Sequence, residues 1–481
     1  MRQKIVRVAA VVVLFAAALA VLGRWEAAPS AGSADGLVGA DMAWVAVAAA
    51  LVMLMTPALG FFYGGLVRHK NLLSTIVQCL IIFALVTGVW TLWGYSLAFA
   101  PSIGGVVGDL RYALLRGVGT APDPEYSTTI PSLLLYFFQL KFAAITPALI
   151  IGAFAERIRF RSLLVFLVIW ATLVYAPAAH WVWGVGGWLR KLGALDFAGG
   201  TVVHIAAGAS ALASALVIGR RATNGGEHGP CNVPYVILGA SLLWFGWFGF
   251  NAGSALGMNG LAVNAMVTTN TAAAFAVLSW MAVDWYLKGK PSASGAAIGA
   301  VCGLVAITPA AGFVDTPASI CIGLLAGLIC NLAVIALHRT RLDDTLDVFA
   351  CHGVGGIWGA LATGIFAQKA VNPAGADGLL YGNPHQLLIQ LGAILAVAAW
   401  SFVLSAGILK VIDLVMGLRV TPEEEELGLD LSQHGEVAYQ LDFGRGLQAT
   451  QGAPQGGHVT MEDTRHETLA PVPSVAPASA E

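Results

Sequence analysis

Charge is what this sequence has least of: Asp, Glu, Lys and Arg supply 11% of its 481 residues, against 57% apolar side chains. A chain so short of charge cannot cover a soluble surface, which excludes an ordinary water-soluble globule. Neither sign is in excess. With 25 Lys+Arg against 27 Asp+Glu there is no basic field to hold nucleic acid, and a disordered chain would carry far less Leu, Ile, Val and Phe. Paired cysteines are missing as well. Cys79, Cys231, Cys302, Cys321, Cys330 and Cys351 lie mostly inside apolar runs and form no CxxC, so neither a disulfide framework nor a zinc knuckle is signalled. The apolar runs do not alternate in the way the two faces of a membrane barrel require.

What is present is a series of segments near the 20 residues that a bilayer demands of a helix. Eleven are expected: Ala43–Leu66, Leu72–Phe99, Pro131–Phe154, Leu163–Trp183, Gly200–Gly219, Val233–Leu256, Val263–Tyr286, Gly295–Ala311, Ala318–Leu337, Val348–Phe366 and Gln386–Ile412. The fold class is therefore an all-α polytopic membrane protein. Ahead of these segments, residues 1–34 combine Arg2, Lys4 and Arg7 with an uncharged run and a small-residue stretch, the layout of a signal peptide; an extra N-terminal helix is the alternative. Alternate loops hold eleven Lys and Arg (Arg68, Lys70, Arg157, Arg159, Arg161, Arg220, Arg221, Lys288, Lys290, Arg339, Arg341), and the others hold five (Arg111, Arg116, Arg190, Lys191, Lys369). The richer set marks the cytoplasmic side, with the mature N-terminus outside and the C-terminus inside. The transmembrane domain runs over 35–416. A regulatory segment follows at 417–440, then a Gly-, Pro-, Gln-, Ser- and Ala-rich tail at 441–481 that cannot bury a core.

Two segments about 150 residues apart share a pattern. Asp196-Phe-Ala-Gly-Gly-Thr-Val-Val-His204 and Asp344-Thr-Leu-Asp-Val-Phe-Ala-Cys-His352 each set an Asp eight residues ahead of a His, at the start of the fifth and tenth expected helices. Five helix steps separate them, so the two run in opposite directions, the trace of an inverted repeat relating helices 1–5 to 6–10. A histidine inside a membrane helix is costly and faces a polar path, or else satisfies an interhelical hydrogen bond. Matched positions in a repeat favour the path for His204 and His352. A metal site would need a third ligand; Cys351, adjacent to His352 on a helix, points to another face. His180 and Trp181 read as an interfacial aromatic belt with a polar tip.

The orientation sets Trp183 and the segment Trp247-Phe-Gly-Phe250-Asn-Ala-Gly-Ser254 toward external helix ends. Phe142 lies roughly 16 Å along the third helix at 1.5 Å per residue. Trp183 and Ser254 are expected to face one another, with Phe142 and Phe250 one layer deeper. Ring faces attract a small cation without a counter-charge; belt packing is the alternative for each ring. Lys141, beside Phe142, should point away from a path that admits cations.

Several long motifs resemble the ammonium transporters, relatives of the Rhesus proteins: Gly60-Phe-Phe-Tyr-Gly-Gly-Leu-Val-Arg-His-Lys-Asn71, Ala155-Glu-Arg-Ile-Arg-Phe160, Asp196 through Gly208, Trp247 through Ser254, and Asp347 through Gly356. The resemblance covers about Ala40 to Gln440. It implies an eleven-helix protomer in a homotrimer in the plasma (inner) membrane, each protomer with its own narrow pore, and neither enzymatic chemistry nor a cofactor. By matching motif it implies an external ammonium site at Phe142, Trp183 and Ser254 supported by Asp196, a gate at Phe142 and Phe250, and a pore pair at His204 and His352. The segment Gly428-Leu-Asp-Leu-Ser-Gln-His-Gly-Glu-Val-Ala-Tyr439 resembles the family's regulatory region, where PII-class nitrogen signal proteins dock. Lys141, Cys351 and the tail after Gln440 depart from the family pattern. An ammonium sensor and a Rhesus-type gas channel are the alternative functions.

Overall fold

The computed structural model describes residues 36–222 and 229–439. The expected leader at 1–34 and the expected tail at 441–481 lie outside the described residues. Long uncharged runs become helices because a backbone without water must satisfy its own amides and carbonyls. Among the described residues, ten helices are long and apolar enough to cross a membrane: α1 (Gly39–Leu66), α2 (His69–Phe99), α3 (Ser132–Ala153), α4 (Phe160–Val182), α5 (Gly200–Ile218), α6 (Val233–Ala252), α7 (Gly260–Lys288), α9 (Thr316–His338), α10 (Phe349–Phe366) and α11 (Pro384–Met416). The eighth expected segment, Gly295–Ala311, is a shorter apolar helix, α8 (Ala293–Ile307). It stops early because Thr308-Pro-Ala-Ala-Gly312 turns back toward the middle of the protein, and Pro309 packs its ring on Gly200.

Side chains that compete for backbone amides mark the starts. Asn232, Asn259, Ser292 and Asp315 accept from Tyr235, Ala262, Gly295 and Ala318 at the heads of α6, α7, α8 and α9. Small residues then let helices cross closely. A Cβ added at Gly239 would sit 2.4 Å from the Phe62 nitrogen, and one at Gly246 would sit 2.3 Å from Met55 Cγ, so α6 lies directly on α1. The connection between α2 and α3 departs from the all-α expectation. It contains two short antiparallel ribbons, β1 (Ser102–Ile103) with β2 (Val107–Gly108), and β3 (Pro122–Asp123) with β4 (Ser127–Pro131).

This connection gives His180 a role other than the interfacial tip expected of it. The His180 ring is fully buried; Nδ1 donates to the Ala98 carbonyl at 2.9 Å, which leaves Nε2 to accept from the Ser102 hydroxyl at 2.8 Å. Trp181 is also buried and donates to Val106 O. Both fasten the ribbon to the end of α4.

The opposite end of the bundle is held by charge. The Glu156 carboxylate is wholly buried, accepts from the Arg68 amide at 2.8 Å and from its Nε at 2.7 Å, and lies 3.6 Å from Arg221. Arg221 also pairs with Asp343, and Arg157 donates to Gly219 O, Ala153 O, Asp343 O and Thr345 Oγ1. The segment after α11 docks on this charged end. Val420 N donates to Arg157 O, Asp430 accepts from the Leu73 and Ser74 amides, and the His434 ring meets Phe160 edge-on. Removing one member of a buried ion pair costs about 3–5 kcal/mol. Glu156→Ala is therefore expected to lower the melting temperature of the detergent-purified protein sharply, and Glu156→Gln to lower it less, in a thermal-shift measurement.

Candidate functional site

At one end of the bundle lies a cavity of about 1140 Å³, counted with its open mouth, lined by Phe142, Trp183, Ser254, Asp196, Gln139, Tyr126 and Arg190 among others. Its floor is made of rings. Phe142 lies 4.3 Å from Phe250, centroid to centroid, and meets Trp183 edge-on at 6.0 Å. Beyond Phe250 a narrower space of about 280 Å³ is lined by Phe250, Trp247, His204, His352 and aliphatic side chains. A third space shares His352 and Val301 with it and continues past Tyr63, Cys351 and Asp347. The three follow one another along the bundle, and the Phe142–Phe250 stack separates the first from the second.

His204 and His352 stack with centroids 5.3 Å apart and planes 19° from parallel, and their Nδ1 atoms are 3.3 Å apart. One proton must lie between those nitrogens, so one ring is the Nδ1–H tautomer and the other the Nε2–H tautomer. The pair therefore offers the lumen one Nε2 acceptor and one Nε2 donor. His204 Nε2 is buried without a hydrogen-bond partner in the protein. Trp247 stacks on the other face of His204 at 5.4 Å and anchors its own Nε1 on Thr308 Oγ1.

The local sequence explains why the rings meet. Each histidine lies in a π-helical opening turn, Gly200–Ile205 in α5 and Phe349–Val354 in α10, and each has a glycine four residues later. A Cβ on Gly208 would sit 2.2 Å from Gly353 Cα, and one on Gly356 would sit 3.2 Å from His204 Cβ. Each glycine thus makes room beneath the partner's histidine. This His-x-x-x-Gly spacing, present in both halves, is the signal that the reading of the sequence missed.

Asp196 and Asp344 stand at matched places with unlike surroundings. Both Asp196 oxygens face the start of α5 and accept from the Gly199, Gly200, Thr201 and Val202 amides at 2.7–3.1 Å. Only its main-chain oxygen reaches the aromatic cup, where it accepts from Trp183 Nε1 at 2.9 Å. Burial pushes its carboxyl up, and the four amides oppose that. Asp344 accepts from the Phe349 amide at 2.7 Å through Oδ2, while Oδ1 is buried without a partner, and burial pushes its carboxyl up to about 7.

Ser254 lines the same cavity as Trp183 and turns its hydroxyl onto Phe250 O at 2.9 Å. Lys141 is not among the lining residues; its Nζ lies 3.5 Å from the centre of the Phe137 ring and 5.1 Å from that of Phe83. Cys351 lies against Cys302 and Cys330, and among the described residues no three His, Cys, Asp or Glu side chains are disposed to hold a metal. Tyr126, Arg190 and Gln139 in the outer cavity were given no place at the site from the sequence, and Trp247 and Tyr63 along the lumen appeared there only inside longer motifs. They are spread over five chain segments, with no motif to link them.

Fold and site define a class first: a helical membrane protein with a narrow, mostly apolar lumen closed at one end by stacked rings, a conduit for a small molecule. The chain belongs to the Ammonium Transporter Family, whose model matches residues 43–439. It is 51% identical over 401 residues to an ammonium transporter of Bacillus subtilis, covering 83% of this chain and 98% of that protein. It is 49% identical to Ammonium transporter Amt1 of Archaeoglobus fulgidus, covering 83% and 99%. Among solved structures it resembles Saccharomyces cerevisiae Mep2 (TM-score 0.78, 38% identity, 85% of this chain and 93% of that one) and a structure described as a sensor Amt protein (0.75, 31%, 82% and 98%). The protein is a multi-pass membrane protein of this family.

Two expectations follow from the geometry. Gly208→Leu should force α5 and α10 apart and separate the imidazoles, seen as loss of transport and a lowered melting temperature. A carboxyl raised in the folded state costs stability as pH rises from its unfolded value toward its folded one. Asp344→Asn removes that cost, so its melting temperature relative to wild type should climb between about pH 4 and pH 7 and level off above. A difference that does not vary with pH would show that Asp344 ionises normally.

Proposed function

We propose that the chain transports ammonium across the membrane, taking up NH4+ in the aromatic cavity, removing its proton near the Phe142–Phe250 stack and passing NH3 along the lumen beside His204 and His352. The observation that carries this is the unpartnered Nε2 of His204, a hydrogen-bonding group left waiting in an otherwise apolar passage. Transferring a bare cation into such a passage costs tens of kcal/mol by a Born estimate. Ring faces return about 2 kcal/mol. Desolvation disfavours the charged form of an amine, so the ion's own pKa falls as it leaves water and NH3 becomes the cheaper species to move.

Each residue then has a task set by its surroundings. Trp183 and Phe142 hold the cation by their faces, the Ser254 oxygen accepts an N–H from it, and Asp196 keeps Trp183 and the start of α5 in place. Phe142 and Phe250 close the passage between visits and must part for each one. The histidine pair accepts from and donates to NH3, and its shared proton is a natural relay for the one removed. Each protomer is read as one pore of a homotrimer in the inner membrane, with the vestibule outside and the docked 417–438 segment facing the cytoplasm. That segment, lying across the charged end where the lumen exits, is suited to receive a PII-class protein.

Uptake of radiolabelled methylammonium by cells or liposomes tests the reading. His204→Asp and Ser254→Leu, each shown to assemble like wild type, should lower uptake at least tenfold, which corresponds to about 1.4 kcal/mol. Undiminished uptake in both would remove the site. Current recording after an ammonium pulse on proteoliposomes separates the alternatives: a current marks proton movement with NH3, uptake without current a gas channel, and binding without uptake a sensor.

A further inference from the structure

On the reading above, the outer cavity receives a cation, yet the charge at its mouth is positive. Two residues of opposite formal charge line it, Asp196 and Arg190. The Asp196 carboxylate is buried at the start of α5, where it accepts from four amides, so the charged side chain that stands exposed at the mouth is Arg190. Arg190 is exposed on a short helix, Trp188–Leu192, that ends at Gly193 in the left-handed region (φ 92°). Its NH1 donates to Trp183 O at 2.6 Å, and its guanidinium carbon lies 5.7 Å from the centre of the Tyr126 ring. Neither partner carries a charge that would cancel it. Lys191, the next residue, leaves toward Gly186 and the ribbon instead.

We propose that Arg190 is an affinity-setting residue of the outer cavity. Its guanidinium, fixed on the backbone of the residue whose ring receives the ion, repels ammonium on entry and so raises the concentration at which uptake half-saturates. The inference rests on the transport reading. Its physical content is a field acting through solvent at an open mouth, and such a field is screened by salt, with a Debye length of about 30 Å at 0.01 M and about 3 Å at 1 M. The deeper steps, deprotonation and passage along the histidines, lie behind the ring stack, and the maximal rate should not follow Arg190.

The test is saturable methylammonium uptake into proteoliposomes at about 0.01 M and about 1 M sodium gluconate, with wild type, Arg190→Gln, Arg190→Lys and Arg190→Glu. All four should elute and melt alike, since the side chain is exposed. At low salt the half-saturating concentration should fall on the order of threefold for Arg190→Gln and further for Arg190→Glu, with maximal rates unchanged; at high salt the four should converge. Arg190→Lys keeps the charge and loses the fork, so it should track wild type. If Lys behaves like Gln, Arg190 acts through its bond to Trp183 and the electrostatic assignment is overturned. The assignment also falls if Arg190→Gln and wild type agree at low salt. A folded wild-type protein that takes up nothing is a separate outcome, which removes the transport reading and this inference with it.

Discussion

Two imidazoles brought within hydrogen-bonding distance, in a place that offers them little else polar, are the constraint from which the rest of this structure follows. Their 3.3 Å approach needs α5 and α10 to cross where neither carries a side chain, hence Gly208 against Gly353 and Gly356 beneath His204. A crossing so tight must occur near helix starts, where the free amides would be costly to bury unmet. Asp196 and Asp344 stand there as acceptors. The π-helical opening turns, one residue longer than an α-turn, bring each histidine round to the lumen side. Remove any one of these and the rings can still be buried, but not facing each other.

The same constraint explains how polarity is distributed along the passage. A guest that hydrogen-bonds well but is neutral needs a few acceptors and donors in line; one that is charged needs water or a counter-ion. The lumen supplies the first and largely withholds the second, because its lining between Phe250 and Tyr63 is aliphatic and aromatic apart from the histidine pair and, toward the inner end, Cys351 and Asp347. Formal charge is pushed to the ends: Arg190 at the mouth, and the network of Arg68, Glu156, Arg157, Arg221 and Asp343 at the other extreme. Buried ion pairs are poor sources of stability. They act here by fixing four loops and the docked 417–438 segment in one arrangement at the charged end.

Much of this was legible in the sequence because the bilayer leaves so few choices. Long uncharged runs had to be helices, and an Asp-to-His spacing repeated at 204 and 352 could be paired without coordinates. Motif resemblance named Phe142, Trp183 and Ser254 together, and these three line one cavity, with Phe250 stacked on Phe142 beneath it. What stayed hidden was hidden for physical reasons. His180 carries the same signature whether it sits at a water boundary or beneath a ribbon, since both put a histidine beside tryptophans at a helix end. The shortness of α8 depends on Pro309 meeting Gly200 more than a hundred residues away. Arg190 looked like one of five loop cations, and only its bond to the Trp183 carbonyl shows it at the aromatic cup.

The two halves of the repeat are built alike but differ in what surrounds their matched aspartates. At the vestibule end the aspartate is saturated by four amides, and the ring beside it, Trp183, is tied to its main-chain oxygen. At the opposite end Asp344 has one oxygen engaged and one orphaned, and the neighbouring lumen residues are Tyr63, Cys351 and Asp347. A cation-holding cup therefore exists on one side only. On the other side stands a buried carboxyl near neutrality, able to hold or release a proton at little cost. A repeated scaffold supplies the crossing, and residues 196 and 344 are where its two halves part: four amides meet the first carboxylate, one meets the second.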